Sequence, residues 1–173
     1  MYRDYSPLKV FRFCPRCGSD KLRVKTERSM ECPECNLHWY FNMASAVAGL
    51  IFNQEGLLLM TVRAGEPAKG SLDLPGGFVD MGETAEQALL REIKEELQIE
   101  AEVEEFIGSY PNQYLFGGVL YETLDLVFRC KVHDFSALSA GDDVAGIRFV
   151  DIKTLDLNTI GLLSIREIVS SLR

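Results

Sequence analysis

The sequence predicts an α+β chain in two parts: a short metal-stapled segment, then a larger domain in which a mixed set of strands surrounds one amphipathic helix. Three observations predict it. Four of the five cysteines fall into two C-x2-C pairs near the start. A glycine-rich turn, Leu74-Pro75-Gly76-Gly77, leads into a run with helical periodicity. Short apolar strands flank that run on both sides.

A length of 173 residues allows one medium domain and a small appendage. Hydrophobic residues make up 47% of the chain, enough for an ordinary core. The net charge of −8 and a pI near 4.8 disfavour non-specific nucleic-acid binding. A small polyanionic substrate stays open, because metal ions bridge like charges. No apolar run approaches the ~18 residues of a membrane span. The first thirteen residues lack the apolar core of a signal peptide. A cytoplasmic, reducing location is therefore expected.

The first element is a pair of knuckles, Cys14-Pro-Arg-Cys17-Gly18 and Cys32-Pro-Glu-Cys35-Asn36, separated by fourteen residues. Gly18 and Asn36 suit the positive-φ positions that close such turns. Lys21 to Glu31 alternates enough for a short hairpin between them. Four thiolates so spaced suit tetrahedral zinc, and the segment resembles a zinc ribbon. A disulfide framework, a redox dithiol and a rubredoxin-like iron site compete. With all four sulfurs ligating, the metal is structural. A segment of about 42 residues needs that metal to fold. His38 reads as linker. Arg12, Arg16, Lys21, Arg23, Lys25 and Arg28 make residues 1–42 locally basic. Nucleic acid is a weaker expectation than packing on the neighbouring domain or on a second copy in a homodimer.

The second domain is expected over 43–173. Ser45 to Asn53 reads as a strand, Asn53 to Gly56 as a hairpin turn, and Gly56 to Arg63 as the returning strand. Ala64 to Leu72 reads as a loop. Arg63 and Lys69 are candidates for phosphate contact. Thr84, with Gln87 three positions on, forms a capping box for a helix from about Ala85 to Gln98. At 100° per residue, Ala85, Ala88, Leu89, Ile93 and Leu97 form its apolar side. Glu92 and Glu96 point the same way, and Glu95 sits beside Ala88. Carboxylates on a buried side repel one another and resist desolvation. A hard divalent cation, magnesium or manganese, removes that conflict.

Gly77, Glu83, Arg91, Glu92, Ile93, Glu95, Glu96 and Ile99 stand at the spacing G-x5-E-x7-R-E-U-x-E-E-x-G-U. The stretch resembles the box of the Nudix hydrolases. Gln98 is the one departure, standing where the family has glycine. The resemblance implies an α/β/α sandwich around a mixed sheet. It implies metal-dependent hydrolysis of a diphosphate linkage in a nucleoside diphosphate derivative. Glu92, Glu95 and Glu96 then hold magnesium or manganese, and the carbonyl of Gly76 or Gly77 adds a ligand. Arg91 cannot act as a base, so its expected task is to hold a carboxylate such as Glu83.

Beyond the helix, strands are expected near Glu102 to Ser109 and Val119 to Val132. In the second, Leu120, Leu124, Leu126, Phe128 and Cys130 share a face. Cys130 reads as a core thiol, and Glu122 as an extra acid to watch. Tyr110 to Gly118 reads as a loop in which Tyr110, Tyr114 and Phe116 are candidates for stacking on a nucleobase. Gly146 to Val150 reads as a last strand. Thr159 to Leu172 reads as a closing helix, with Ile160, Leu163, Ile165, Ile168, Val169 and Leu172 largely inward. Asp143 matches an acid that in some Nudix members binds metal or acts as base. Glu95, Asp143 and Glu122 are the candidate bases.

A zinc ribbon before a Nudix domain resembles the arrangement in NADH pyrophosphatases. Their S-Q-P-W-P-F-P-x-S array is reduced here to Ser109-Tyr-Pro-Asn-Gln-Tyr114, so NADH, ADP-ribose, FAD and related compounds stay open. A non-catalytic nucleotide-sensing regulator, with the ribbon on nucleic acid or protein, is the alternative, although the box acids are intact. An isomerase of isopentenyl diphosphate would need a catalytic cysteine, and Cys130 is a poor one.

Overall fold

The computed structural model describes residues 3–173. It separates into two compact units. One runs through Met43 and adds Gln113–Glu122; the other comprises Ala44–Asn112 and Thr123–Arg173.

In the first unit, a short helix α1 (Pro7–Val10) precedes a three-stranded sheet of β1 (Arg23–Thr26), β2 (Ser29–Cys32) and β3 (Leu37–Tyr40). Both pairings are antiparallel, with β2 central. The expected hairpin is β1–β2. The third strand was not expected: His38, read as linker, lies within β3. Leu37 and Trp39 are half-buried while His38 and Tyr40 are exposed, a two-residue alternation too short to stand out. The Trp39 ring packs against Phe11 at 5.3 Å and Phe41 at 5.0 Å between centroids.

The second unit contains β4 (Ala44–Ile51), β5 (Leu58–Arg63), β6 (Leu72–Asp73), α2 (Ala85–Leu97), β9 (Val144–Val150) and α3 (Leu163–Ser171). The long strands β7 (Glu102–Phe116) and β8 (Val119–Lys131) belong to it except at their tips. One sheet has the order β4-β8-β7, with β4 parallel to β8 from Ala44↔Thr123 to Ile51↔Cys130. The other, β6-β5-β9, is antiparallel. Alternation along β4 sends Val47 and Ile51 to α2, where they join Leu59, Ala88, Leu89, Ile93, Leu97 and Phe128. Ala48 and Leu50 face the other way, toward Met60, Val127, Ile165, Ile168 and Val169 of the α3 side. Helices thus cover both sides of the strands, the α/β/α sandwich. No helix among the described residues is long and apolar enough to cross a membrane.

Four local expectations change. The strands on either side of Asn53–Gly56 share only the bridge Phe52↔Leu58, then part into different sheets. Parallel pairing with β8 takes up β4 instead. Tyr110 to Gly118 is not a loop: β7 continues to Phe116, and Gly117-Gly118 alone makes the turn, with φ of 58° and 76°. Two consecutive positive φ values suit a two-residue hairpin turn, and Pro111 is tolerated because β7 is an edge strand. On β8 the alternate face carries Thr123, Asp125 and Val127, which are buried too. The closing helix starts at Leu163 rather than Thr159. A separate 3-10 turn, Leu157–Thr159, is capped by Asp156, and Leu163 is 56% exposed.

Candidate active site

The glycine turn is built onto the edge of β4. Gly49 N–H donates to Pro75 O at 2.8 Å, Val47 N–H to Gly77 O at 2.8 Å, and Val79 N–H to Ser45 O at 3.0 Å. Gly76 has φ 147°, and a Cβ there would overlap the Val47 carbonyl. A Cβ on Gly77 would overlap the Glu92 carboxylate. The two glycines therefore let the backbone lie flat between β4 and the acids of α2. The carbonyl of Gly77 is already paired with Val47.

Helix α2 begins with the expected capping box. Thr84 accepts from Gln87 N–H, and Gln87 Oε1 accepts from Thr84 N–H. Its exit is equally defined. Gln98 adopts the left-handed conformation, φ 59° and ψ 22°, that glycine takes most easily. Its side chain donates to Glu95 O at 2.9 Å. The loop before β9 closes the same end, with Gly141 N–H donating to Glu96 O at 2.9 Å and Ser139 N–H to Leu97 O at 3.1 Å.

Arg91 sits at the centre of the acids. Its Nη2 and Nε donate to the two oxygens of Glu83 at 2.7 and 3.2 Å. Its Nη1 donates to Glu92 at 2.8 Å and Glu95 at 3.0 Å, and Nη2 also reaches Phe78 O at 3.1 Å. Glu83 thus bridges the turn and the helix, since it also accepts from Asp80 N–H at 2.7 Å. The Arg91 guanidinium holds the Glu83 carboxyl below the usual range. Burial pushes Glu92 up, against the pull of Arg91. Burial pushes Glu96 up to about 8, despite the Gly76 N–H donated to its Oε2 at 3.0 Å. Glu95 is more open, with its side chain 46% exposed against 17% for Glu92.

These donors fit a divalent cation. Two carboxyls are held on the apolar side at a cost in their charged form, and hard oxygen ligands suit magnesium or manganese. Among the described residues, only the four cysteines already converge as a ligand set. Their sulfurs all lie within 4.8 Å of one another, with Cys14–Cys35 at 3.6 Å and Cys17–Cys32 at 3.7 Å. All are free thiols. Gly18 and Asn36 have the expected positive φ, 73° and 56°.

The other candidates are dispersed. Arg63 is engaged by Asp73 at 2.6 Å and Pro67 O at 2.7 Å. Lys69 is exposed in the loop before β6. Asp143 is exposed in the turn before β9, and its carbonyl accepts the Ala64 N–H at 2.8 Å. Tyr110 packs against the α3-side core. Tyr114 and Phe116 lie in the hairpin tip with ring centroids 6.4 Å apart. Glu122, also in that tip, accepts from Gln113 at 3.1 Å. Cys130 is buried, and burial pushes its thiol up to about 12, as a core residue requires. Two buried acids went unnoticed in the sequence. Asp73 directly precedes Leu-Pro-Gly-Gly, and Asp125 interrupts an apolar strand; a charge in either position was the available signal.

Residues 43–170 match the family model described as the NUDIX domain. The chain belongs to the Nudix family. Residues 11–40 match the NADH pyrophosphatase zinc ribbon domain, so this Nudix protein carries a ribbon of that type. A curated relative, the NAD-capped RNA hydrolase NudC of Pseudomonas aeruginosa, is 34% identical over 110 residues, 61% of this chain and 39% of that protein. The NudC of Pseudomonas putida is 29% identical over 148 residues, 78% of this chain and 53% of that one. The Nudix chain thus spans about half or less of the length of these relatives. An ADP-ribose pyrophosphatase of Methanocaldococcus jannaschii is 38% identical over 118 residues, covering 67% of this chain and 66% of that protein. Among solved structures, a NUDIX hydrolase from Nitrosomonas europaea superposes with a TM-score of 0.72 at 27% identity, over 91% of this chain and 87% of that one.

Proposed function

We propose that this Nudix protein hydrolyses the diphosphate linkage of a nucleoside diphosphate derivative with magnesium or manganese held by Glu92, Glu95 and Glu96. The observation that carries this reading is the placement of Glu92 and Glu96 on the buried side of α2 under the Gly76-Gly77 turn. A divalent ion bound there supplies charge neutralisation for the diphosphate and a water of depressed pKa. The chain's own residues do the rest. Arg91 aligns Glu92 and Glu95 and is itself anchored by Glu83. Glu95, the most open of the three, is the proton acceptor we assign, with Asp143 as the second candidate. Lys69 meets substrate phosphate, and the Gly77 carbonyl adds an oxygen ligand through its remaining lone pair. Tyr110, Tyr114 and Phe116 carry base recognition.

The division into modules 1–42 and 43–173, structural zinc on the four cysteines and a cytoplasmic setting complete the proposal. ADP-ribose, NADH, FAD and NAD-capped RNA are the substrates to compare, since relatives are named for the first and last of these. The test is the purified full chain with that panel plus magnesium, scored for phosphate-bond cleavage. Hydrolysis that drops at least a hundredfold in Glu95→Gln supports the reading. No cleavage of any compound, or unchanged rates in Glu92→Gln, Glu95→Gln and Glu96→Gln, overturns it.

A further inference from the structure

One buried amide of the second unit has an unmet acceptor. Asn112 of β7 is 5% exposed, and among the described residues no group donates to its Oδ1. The two-residue turn at Gly117-Gly118 sets Asn112 opposite Thr123 on β8, a register that the Gln113–Glu122 bond repeats one residue on. The Thr123 hydroxyl is committed elsewhere. It donates to Asp125 at 2.8 Å, and Asp125 also accepts from Ser164 at 2.5 Å. A buried acceptor without a donor is costly, and an apolar side chain of similar size would avoid that cost.

Around Asn112 the sheet forms a shelf beside the candidate active site. Alternation puts Asn112 on the face of Tyr110, which packs on the α3 side. Ala44 and Ala46 of β4 point the same way as Ala48, are half-buried, and pair with Thr123 and Asp125. Ala46 is bridged in turn to Phe78, so the Phe78 ring, 42% exposed, stands on that face too. The Phe78 carbonyl accepts from Arg91, which joins the shelf to the acid network. From Phe78 across β4 and β8 to β7 is three strand spacings, roughly 14 Å. A nucleoside diphosphate covers that distance from its phosphates to its base. An aromatic ring beside two alanines gives a base a flat apolar bed, and Asn112 stands at the far edge of it.

We infer that Asn112 is a specificity-determining residue that reads a 6-aminopurine: its Oδ1 accepts from the exocyclic amino group while its Nδ2 donates to the neighbouring ring nitrogen N7. A 6-oxopurine shows two acceptors on that edge, and either orientation of the amide leaves Oδ1 against one of them. This rests on the reading that the substrate is a nucleoside diphosphate derivative.

The experiment is isothermal titration calorimetry of the full chain with AMP and with IMP, magnesium present. Neither nucleotide contains a diphosphate, so binding is read apart from cleavage. The wild-type chain is expected to bind AMP at least about tenfold more tightly than IMP. Asn112→Leu is expected to bring the two within about twofold of each other, by weakening AMP and leaving IMP unchanged, while Tm stays level or rises. An asparagine with a purely structural role would instead lower Tm on replacement or weaken both nucleotides alike. The inference is overturned if the wild-type chain binds AMP and IMP equally or binds neither, or if Asn112→Leu keeps the preference or weakens both alike. Should Asn112→Leu fail to fold, Asn112→Ala, which adds no bulk, decides by the same ratio. A preference for AMP with no cleavage of any compound in the substrate panel overturns the hydrolase reading and supports this one, so the two failures are distinct.

Discussion

Arg91 grips Glu83 with two nitrogens, at 2.7 and 3.2 Å, across eight residues of sequence. The fork ties the turn at Asp80 to the middle of α2 and leaves Nη1 for Glu92 and Glu95. Lysine offers one point charge and cannot hold both sides. Arg91→Lys is expected to lower kcat by about tenfold to a hundredfold while the far-ultraviolet circular dichroism stays unchanged. A kcat within twofold of wild type would show that the fork does not align the acids.

Stability should depend on pH and metal together. Glu96, and Glu92 in the same direction, hold their protons more tightly when folded. Such groups cost nothing below the ordinary carboxylate range. Their destabilising effect grows as pH rises and, for Glu96, is complete above about 8. Magnesium needs the charged form and removes the penalty. The rise in Tm on adding magnesium is therefore expected to be larger at about pH 8.5 than at about pH 6. Differential scanning fluorimetry measures it, and an equal rise at both values contradicts it.

Gln98 holds a left-handed conformation that costs a non-glycine residue roughly 1 kcal/mol, partly offset by its bond to Glu95 O. Gln98→Gly is expected to change stability by less than about 1 kcal/mol. Gln98→Val, β-branched and without the amide, is expected to destabilise by about 1–3 kcal/mol. Urea unfolding of both variants measures the difference; equal midpoints would show the exit turn to be unstrained.

Gly77→Ala places a methyl group where the Glu92 carboxylate lies. The flexible end of Glu92 moves before the backbone does. The variant is expected to fold, to bind Mn2+ at least tenfold more weakly and to lose most activity. Unchanged Mn2+ affinity by paramagnetic resonance would show that Glu92 is not held as a ligand at that position.

Zinc removal should act on the first unit. The four sulfurs are gathered within 4.8 Å without a disulfide, and the short strands β1–β3 have little core besides Met30, Cys32 and the Phe11–Trp39–Phe41 rings. Reduced protein is expected to carry about one zinc per chain. Chelation is expected to add an early melting transition. Metal content well below one per chain would rule the ribbon site out.

The sequence alone determined whatever depends on local spacing. The capping box, the α2 stripe of Ala88, Leu89, Ile93 and Leu97, and the knuckle glycine and asparagine all follow from residues a few positions apart. The tertiary structure alone decided what depends on distant partners. Strand β4 left its hairpin neighbour for a parallel partner about 79 residues away, and beside β8 both of its faces are buried. The supposed loop at Tyr110 became strand through pairing that its composition does not announce. Arg63, offered as a phosphate ligand, was claimed by Asp73. Burial also separated the three box acids, leaving Glu95 toward solvent and Glu96 raised to about 8, a difference no spacing rule contains.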